Sequence, residues 1–475
     1  MCESCQELKS GGLKLNHWKA LAERQSFFFY GCCMSRLSVL LPQLQNWGCH
    51  NCGGCCREHR ITITDAEHQR IERQGWTVAD GVPADRPLMV SSAAGWRLNH
   101  QDDGACVFLD AAGLCRIHSK YGESAKPLAC RMYPYAIHPA GSGLTASLRF
   151  SCPSVVQNLG APVAAAREAV EALAAEAVAA KQADVPCPEL RTGVPFDWSR
   201  LTRLLAWLER GLEQSELPFV LRLQRLLGLL ELLELAGTET VAEDSLGQLL
   251  PALYAASERA YPAVAVSAGS AGAQRPQRPQ RLALTMLRQL AAQLLRHDTA
   301  AMVSSGPVRR LGLLCDGLRM TLGWGQVPEQ ADPESVRVAF VERAGLSEPR
   351  RRVRFSDLES VLGGGQSELD ELFHRYFHVK LQGRAFCGPA FYGYSVIDGL
   401  RSLVLMYPAV LWVARLRAAT EGRGLLELRD VQAALATLDH NFGYSPVLAL
   451  AGSRRRVRQL AQLRQIAPLV AWYGR

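Results

Sequence analysis

The chain of 475 residues lacks a long hydrophobic run that is free of proline and charge. The longest apolar stretch, 403–416, contains Pro408 and Arg415, whereas a membrane-spanning helix needs about 20 consecutive apolar residues. The aromatic run at 27–30 is much shorter than the apolar segment of a secretory signal peptide. We therefore expect a cytoplasmic protein with no membrane partner.

A strong excess of one charge is also missing. The formal net charge is +8 at pH 7, and the basic runs at 350–354 and 454–458 contain no interleaved aromatic residues. Nucleic-acid-binding domains combine a basic surface with a recognisable module, and no such module is visible. We interpret the two runs as solvated surfaces and expect no nucleic-acid partner. A protein substrate or a redox partner remains open, and so does the oligomeric state.

The glycine fingerprint that binds dinucleotides or S-adenosylmethionine is absent as well. Three glycines at 363–365 follow a segment with the pattern of a capped helix, whereas the fingerprint follows a strand. His374 and His378 have the i, i+4 spacing of a helical metal site, but the glutamate of the metalloprotease motif does not accompany them. We interpret both histidines as residues on a helix surface.

Cysteine, in contrast, is abundant, but in one part of the chain only. Eight of the fifteen cysteines lie close together in the sequence: Cys49, Cys52, Cys55, Cys56, Cys106, Cys115, Cys130 and Cys152. A long chain with 48% hydrophobic residues needs no disulfides to fold. Close Cys-x-x-Cys spacings in a reducing compartment are typical of thiolate ligands. The pattern predicts a metal or iron-sulfur centre, with all eight cysteines as candidate ligands.

The first four cysteines form one compact motif. Gaps of two residues separate Cys49, Cys52 and Cys55, as in the cluster loops of ferredoxins. Asn51 and the glycines that follow Cys52 tolerate the positive φ angles that such a loop requires. Radical S-adenosylmethionine enzymes have a three-residue gap first, so we exclude this class. Because adjacent side chains point apart, we expect Cys56 to serve another site or the edge of a cluster.

The remaining cysteines are expected to complete the coordination after folding. Cys152 precedes a proline, which repeats the ending of ferredoxin loops. The turn at 110–113 predicts that Cys106 and Cys115 lie near each other on paired strands, and Cys130 is a further candidate. Eight cysteines suffice for two four-cysteine sites or for one cluster with structural thiols, and the sequence leaves both open. Neighbouring residues that could ligate the metal or donate hydrogen bonds to sulfur are Arg57, His59, Arg116, His118 and Arg131.

Hydrophobic patterning predicts a mostly α protein, in which a small, irregular α+β cysteine-rich metal-binding module precedes a helical region. We divide the chain into a doubtful N-terminal extension at 1–33, a cysteine-cluster domain at 34–155, a helical region at 156–266, an exposed linker at 267–281 and a C-terminal helical domain at 282–475. A capping box of Thr64 and Glu67 predicts one helix within the module. Helices are also expected over 161–183 and 201–235.

Several segments resemble the YkgJ-type cysteine-cluster family, whose domain is described as zinc- or iron-chelating. They are C-x-x-C-G-G-C-C-R at 49–57, C-V-F-L at 106–109, G-L-C-R-I-H at 113–118 and K-P-x-x-C-R-M-Y-P at 126–134. The likeness covers residues 49 to about 153, and it departs from many members at Lys126, where they have arginine. The resemblance implies an iron-sulfur cluster, in the first place 4Fe-4S, or zinc.

The same resemblance implies an enzymatic alternative, because the family includes flagellin lysine N-methylases. In that case the chain is a protein lysine N-methyltransferase that uses S-adenosylmethionine, and the cysteine module is structural or positions a substrate protein. A zinc-stabilised interaction scaffold is a weaker alternative. Whether any reaction is catalysed stays open at this point.

Overall fold

A computed structural model describes residues 38–92, 95–141, 143–177, 185–237, 243–262, 276–295, 307–328, 352–363 and 367–475. The doubtful extension at 1–33 lies outside the described residues, as does most of the expected linker. The described end of that linker, 276–280, has no regular structure, and a helix starts directly after it.

The fold is mostly α, as the sequence predicts, with 57% of the described residues in helices. Five short helices accompany the cysteines: α1 Gly54–Glu58, α2 Asp65–Arg73, α3 Arg116–Tyr121, α4 Leu128–Met132 and α5 Pro153–Val156. The helical region follows, and its described helices are α6 Arg167–Ala177, α7 Trp198–Leu212, α8 Phe219–Leu235, α9 Glu243–Ala260, α10 Arg281–Leu295, α11 Pro307–Leu322, α12 Phe355–Leu358, α13 Ser367–Gln382, α14 Val396–Thr420, α15 Leu428–Asn441, α16 Ala451–Gln462 and α17 Ile466–Tyr473.

Strands of the described chain are short and lie in its N-terminal part. They are β1 Val39–Leu40, β2 Asn46–Trp47, β3 Thr62–Ile63, β4 Met89–Ser92, β5 Gly95–Leu98, β6 Tyr135–Ala140, β7 Gly143–Leu148 and β8 Ala161–Pro162. One sheet has the order β1-β7-β6, a second has the order β3-β5-β4, and β2 pairs with β8. The parallel pair β1-β7 and the antiparallel pair β2-β8 hold the two ends of the strand-containing region together.

The capping box at Thr64 forms as predicted and reaches beyond its own helix. The Thr64 hydroxyl accepts a hydrogen bond from the Glu67 N–H at 3.2 Å, and the Glu67 carboxylate accepts one from the Thr64 N–H at 2.8 Å. The other carboxylate oxygen of Glu67 accepts a bond from the Leu128 N–H at 2.7 Å. One glutamate therefore fixes the start of α2 and also the start of α4, the helix that carries Cys130.

Two predicted helices differ from the structure where prolines interrupt them. Residues 161–166 form β8 and a 3₁₀ turn, so the helix predicted from 161 begins only at Arg167. The leucine pattern at 201–235 is divided into α7 and α8, because Pro218 stands directly before α8. Proline lacks the N–H that a helix interior uses, and it is tolerated at helix starts and edge strands.

Two hydrophobic cores organise the described chain. The smaller core contains Ile63, Ile71, Phe108 and Ile117, and three of the clustered cysteines, Cys56, Cys115 and Cys130, pack against it. The larger core joins β1, β7 and residues 150–156 to the helices of the helical region. The first core thus lies within the cysteine-rich part, and the second attaches this part to the rest of the protein.

Helix α14 lies at the centre of the larger core. By length and composition alone it could cross a membrane, yet every residue of its most apolar window is buried within the protein. Helices α8, α10, α15 and α17 pack around it. This burial explains why its sequence is apolar on all sides, since a helix enclosed by other helices has no polar face.

Candidate metal centre

The motif at 49–56 folds as a loop that leads directly into α1. Asn51 and Gly53 have φ angles of 59° and 69°, as the sequence predicts for this loop, and Gly53 is the N-cap of α1. The first turn of α1 carries Cys55 and Cys56, while the two preceding cysteines of the motif are exposed. The start of the helix therefore separates the four cysteines into two pairs.

The loop packs closely on the turn between Cys106 and Cys115. A Cβ atom at Gly53 would stand 3.4 Å from a methyl carbon of Leu109 and 3.5 Å from the carbonyl oxygen of Gly113. The Cys106 N–H also donates a hydrogen bond to the Cys56 carbonyl at 2.8 Å. A Cβ atom would make only ordinary contacts here, so the feature of Gly53 that favours glycine is its left-handed backbone.

The predicted turn at 110–113 is present, although the strands on either side are reduced to single bridges. Leu109 pairs with Cys115 in one antiparallel bridge, and the Asp110 carboxylate accepts a hydrogen bond from the Leu114 N–H at 2.7 Å. Gly113 has a φ of 81°, which closes the turn. Cys106 is held in a second single bridge, to His100.

Five cysteines from four segments lie in or near the smaller core. We call Cys55, Cys56, Cys106, Cys115 and Cys130 the inner group, because burial and mutual electrostatic interactions link them. Burial raises the pKa of the Cys106 thiol to about 12, and the nearby Cys115 and Cys55 act in the same direction. Burial also raises the pKa of Cys130, with further contributions from Cys106 and Cys115. The thiols of Cys106 and Cys130 are therefore protonated at neutral pH without a metal and must lose protons to bind one.

The expectation that Cys55 and Cys56 point apart is wrong. The side chain of Cys56 is the largest cause of the raised pKa of Cys55, ahead of burial, so the two side chains lie close to each other. Adjacent side chains diverge by about 180° in a strand but by only about 100° in a helix. Because both cysteines lie in α1, their sulfur atoms can approach, and both face the inner group.

The three other cysteines, Cys49, Cys52 and Cys152, form a second set, which we call the outer group. Although Cys52 as a residue is exposed, partial desolvation of its thiol raises the pKa, and Cys55 and Cys49 add to this effect. Cys152 lies in the larger core, where burial raises the pKa of its thiol to about 12, and Cys52 contributes. Cys52 is therefore the link between the two groups.

The residues present fit a thiolate-ligated metal. All eight clustered cysteines are free thiols, so the sulfur atoms are available as ligands. The ammonium of Lys126 lies near Cys55 and Cys130. Its positive charge lowers the pKa of each thiol and so partly offsets the effect of burial. A cation at this position stabilises the negative charge that several thiolates bring together.

Most of the charged neighbours named from the sequence are engaged elsewhere. Arg57 pairs with Asp103 at the surface, and Arg131 pairs with Glu176 of α6. Arg116 packs its guanidinium against Gly81, and His118 is exposed on α3. His59 is the exception, since its ring stacks on that of His440 and contacts the tilted ring of Tyr133.

His374 and His378 are not on a helix surface, contrary to the sequence interpretation. His378 is only 5% exposed, and His374 is partly buried beside it on α13, with 6.2 Å between the ring centroids. Burial lowers the pKa of His378 to about 4, and His374 acts in the same direction. The i, i+4 spacing here marks a helix face that packs inward, and it lies outside the cysteine centre.

Two residues beside the cysteines were missed by sequence reasoning. Tyr133 is enclosed near Cys152 and Cys55, with its hydroxyl 3.2 Å from that of Ser151, and burial raises its pKa. His440 comes from α15 and reaches the module from the far end of the chain. Tyr133 was visible in the motif at 126–134, whereas no local signal identifies His440.

Comparisons with known proteins bear on the cysteine-rich part only. A family model described as "Putative zinc- or iron-chelating domain" matches residues 48–153. No curated protein and no solved structure matched the chain. The matched range contains the inner and the outer group of cysteines, so metal chelation, by zinc or iron, is the function that the match supports. Residues 48–153 of this chain are a domain of the CxxCxxCC family.

Proposed function

We propose that the protein holds an iron-sulfur cluster, in the first place 4Fe-4S, through the inner group of cysteines. The observation that supports the proposal is that Cys55, Cys106, Cys115 and Cys130 come from separate segments and lie near enough to interact electrostatically, three of them at the smaller core. Four thiolates are the usual ligand set of such a cluster. The loop before α1, with its left-handed Asn51 and Gly53, further supports a cluster-binding loop.

Burial suits this role because the surroundings of a cluster set its stability and reduction potential. Apolar side chains of the smaller core, among them Phe108 and Leu109, shield the inner group of cysteines from water. Backbone N–H groups near the sulfurs and the Lys126 ammonium would balance the charge of the thiolates. When bound, the cluster supplies one-electron chemistry or a structural crosslink between the segments.

The exposed side of the centre offers a place where a partner protein can exchange electrons with it. Cys49 and Cys52 are exposed, and Cys52 connects to the inner group through Cys55. We propose that a redox partner protein docks here, in a reducing compartment such as the cytoplasm, where all these thiols stay free. Lysine N-methylation with S-adenosylmethionine stays a prediction that rests on the family resemblance, and methyl transfer to a lysine-containing protein tests it separately.

Anaerobic purification followed by metal and acid-labile sulfide analysis tests the cluster. We expect a brown protein with about four iron and four sulfide per chain. Cys130→Ser should lose most of the iron, while the exposed Cys315→Ser on α11 serves as the matched control and should retain it. Colourless protein that carries zinc and no sulfide would overturn the cluster, and equal metal loss in both variants would overturn the ligand assignment.

A further inference from the structure

A second cluster of metal-ligating side chains lies beside the cysteines and contains no sulfur. Glu58, His59 and His440 each direct one ligand atom to a common place, and these atoms lie within 4.8 Å of one another. The Nδ1 atom of His440 is 3.6 Å from a carboxylate oxygen of Glu58. Two imidazoles and one carboxylate form a donor set that zinc and iron(II) both use in proteins.

The local backbone explains how two adjacent residues can face one point. Helix α1 ends at Glu58, and His59 is its C-cap, with φ and ψ of −97° and 130°. The change from helical to extended backbone turns the second side chain, so that both reach the same side. The His59 carbonyl lies 3.2 Å from a ring nitrogen of His100, which holds this bend in place.

The third residue is positioned by contacts on both sides of it. The ring of His440 stacks on that of His59 at a centroid distance of 5.2 Å and an interplanar angle of 10°. Its carbonyl accepts a hydrogen bond from Arg149 at 3.0 Å, and the preceding residue, Asp439, accepts one from the Phe150 N–H at 2.6 Å. The end of α15 is thus fixed against the segment that leads to Cys152.

The three side chains are buried enough to favour binding of a metal ion, but the site stays accessible from solvent. The side chains of Glu58 and His440 are 13% and 17% exposed, so a bound ion would lose most competing water. Partial exposure leaves room for a small ligand to enter. Tyr133 contacts the ring of His59 and also lies near Cys55 and Cys152.

We propose that Glu58, His59 and His440 bind one divalent first-row transition-metal ion, separate from the cysteine centre. Three protein ligands leave at least one coordination position for water or an exogenous ligand, as in open zinc and iron(II) sites. Since His440 belongs to the helical region, the ion also connects this region to the cysteine module. The proposal does not depend on whether the cysteines hold a cluster or zinc.

Cobalt(II) is a suitable probe, because its spectrum distinguishes the two kinds of donor. We would titrate Co²⁺ into the full-length protein with its cysteine centre occupied as purified. Nitrogen and oxygen ligands give weak visible bands, whereas thiolates add an intense charge-transfer band in the near ultraviolet. We expect one Co²⁺ per chain with the weak bands alone and a raised melting temperature.

Variants connect these signals to the three residues. His440→Ala and Glu58→Gln should each weaken Co²⁺ binding by about tenfold or more and abolish the stabilisation. The metal content of the cysteine centre should stay unchanged in both, which also reports that they fold. The matched control is His118→Ala, an exposed histidine of α3. Equal Co²⁺ binding in His118→Ala and His440→Ala, or a thiolate charge-transfer band that Cys130→Ser removes, would overturn the proposal.

Discussion

The ammonium of Lys380 lies 2.7 Å from a carboxylate oxygen of Asp439, and neither side chain is more than 3% exposed. The pair joins α13 to α15 beneath β7, since Lys380 also donates to the Leu148 carbonyl at 3.2 Å. Asp439 accepts further hydrogen bonds from the Tyr376 hydroxyl and from the Phe150 N–H. A buried ion pair with its remaining donors and acceptors satisfied is stable, but the loss of one partner leaves a charge without compensation.

We therefore predict that Asp439→Asn destabilises the protein by about 3–5 kcal/mol, because it leaves the Lys380 ammonium buried without its counter-ion. Chemical denaturation followed by circular dichroism measures the free energy of unfolding. Asp102→Asn is the matched control, since Asp102 pairs with Arg86 at the surface with a side chain that is 93% exposed, and its loss should leave the free energy of unfolding nearly unchanged. Similar losses in the two variants would contradict the role of the buried pair.

Gly53→Ala should weaken metal retention and destabilise the cysteine module by about 1 kcal/mol or more, because a side chain is strained at a φ of 69°. The added methyl group would make only ordinary contacts with Leu109 and Gly113, so the cost comes from the backbone. Metal content after mild chelation and the midpoint of thermal unfolding measure the two effects.

The control for this substitution is the same change in a helix. A Cβ atom at Gly452 in the first turn of α16 meets nothing within 4 Å. Gly452→Ala should therefore be neutral or stabilising by up to about 1 kcal/mol, with unchanged metal content. If Gly53→Ala behaved like Gly452→Ala, the left-handed backbone at Gly53 would not matter for the centre.

The number of metal sites follows from the division into inner and outer groups. If the inner group holds the cluster, Cys49→Ser leaves the iron and sulfide content unchanged, because Cys49 belongs to the outer group. Cys115→Ser should remove both. Iron analysis of anaerobically purified variants measures this, and loss of half of the metal in each variant would instead indicate two sites.

Acid should destabilise the protein through His378. Its pKa is lowered to about 4 by burial in the native state, while an unfolded chain has a value of about 6.5. The unfolded state therefore binds more protons between these values, so the stability that neutral His378 contributes is present above about pH 6.5 and is lost as the pH falls toward 4.

The loss through His378 amounts to about 3 kcal/mol at most. His378→Gln should flatten the dependence of the unfolding free energy on pH in this window, measured by denaturation at several pH values. Replacement of the exposed His118 by glutamine should leave the slope as it is. A slope that His378→Gln does not change would show that other groups dominate acid unfolding.

The sequence predicted those features that short segments determine. The capping box of Thr64, the left-handed Asn51 and Gly53, and the turn before Cys115 each depend on a few neighbouring residues, and each is present. The mostly α fold class was also predictable, because leucine periodicity reports helices directly.

Features that depend on tertiary contacts were not predictable in the same way. The approach of Cys55 and Cys56 follows from a helix of only five residues, which has no periodic signal. The burial of His378 depends on what packs against α13, so its spacing alone could not distinguish an inner from an outer face. His440 joins the site because α15 ends against the module, and no sequence pattern encodes a contact over so many residues.

The stacking of His59 on His440 also sets an order of events during synthesis. The ribosome makes the N-terminal part first, and domains generally fold as they emerge. All eight cysteines and β8 are complete long before α15 exists, so the nascent chain can acquire its first metal while the helical region is still being made. The Glu58–His59–His440 site can bind its ion only afterwards. Its occupancy therefore distinguishes chains in which α15 has formed from shorter ones.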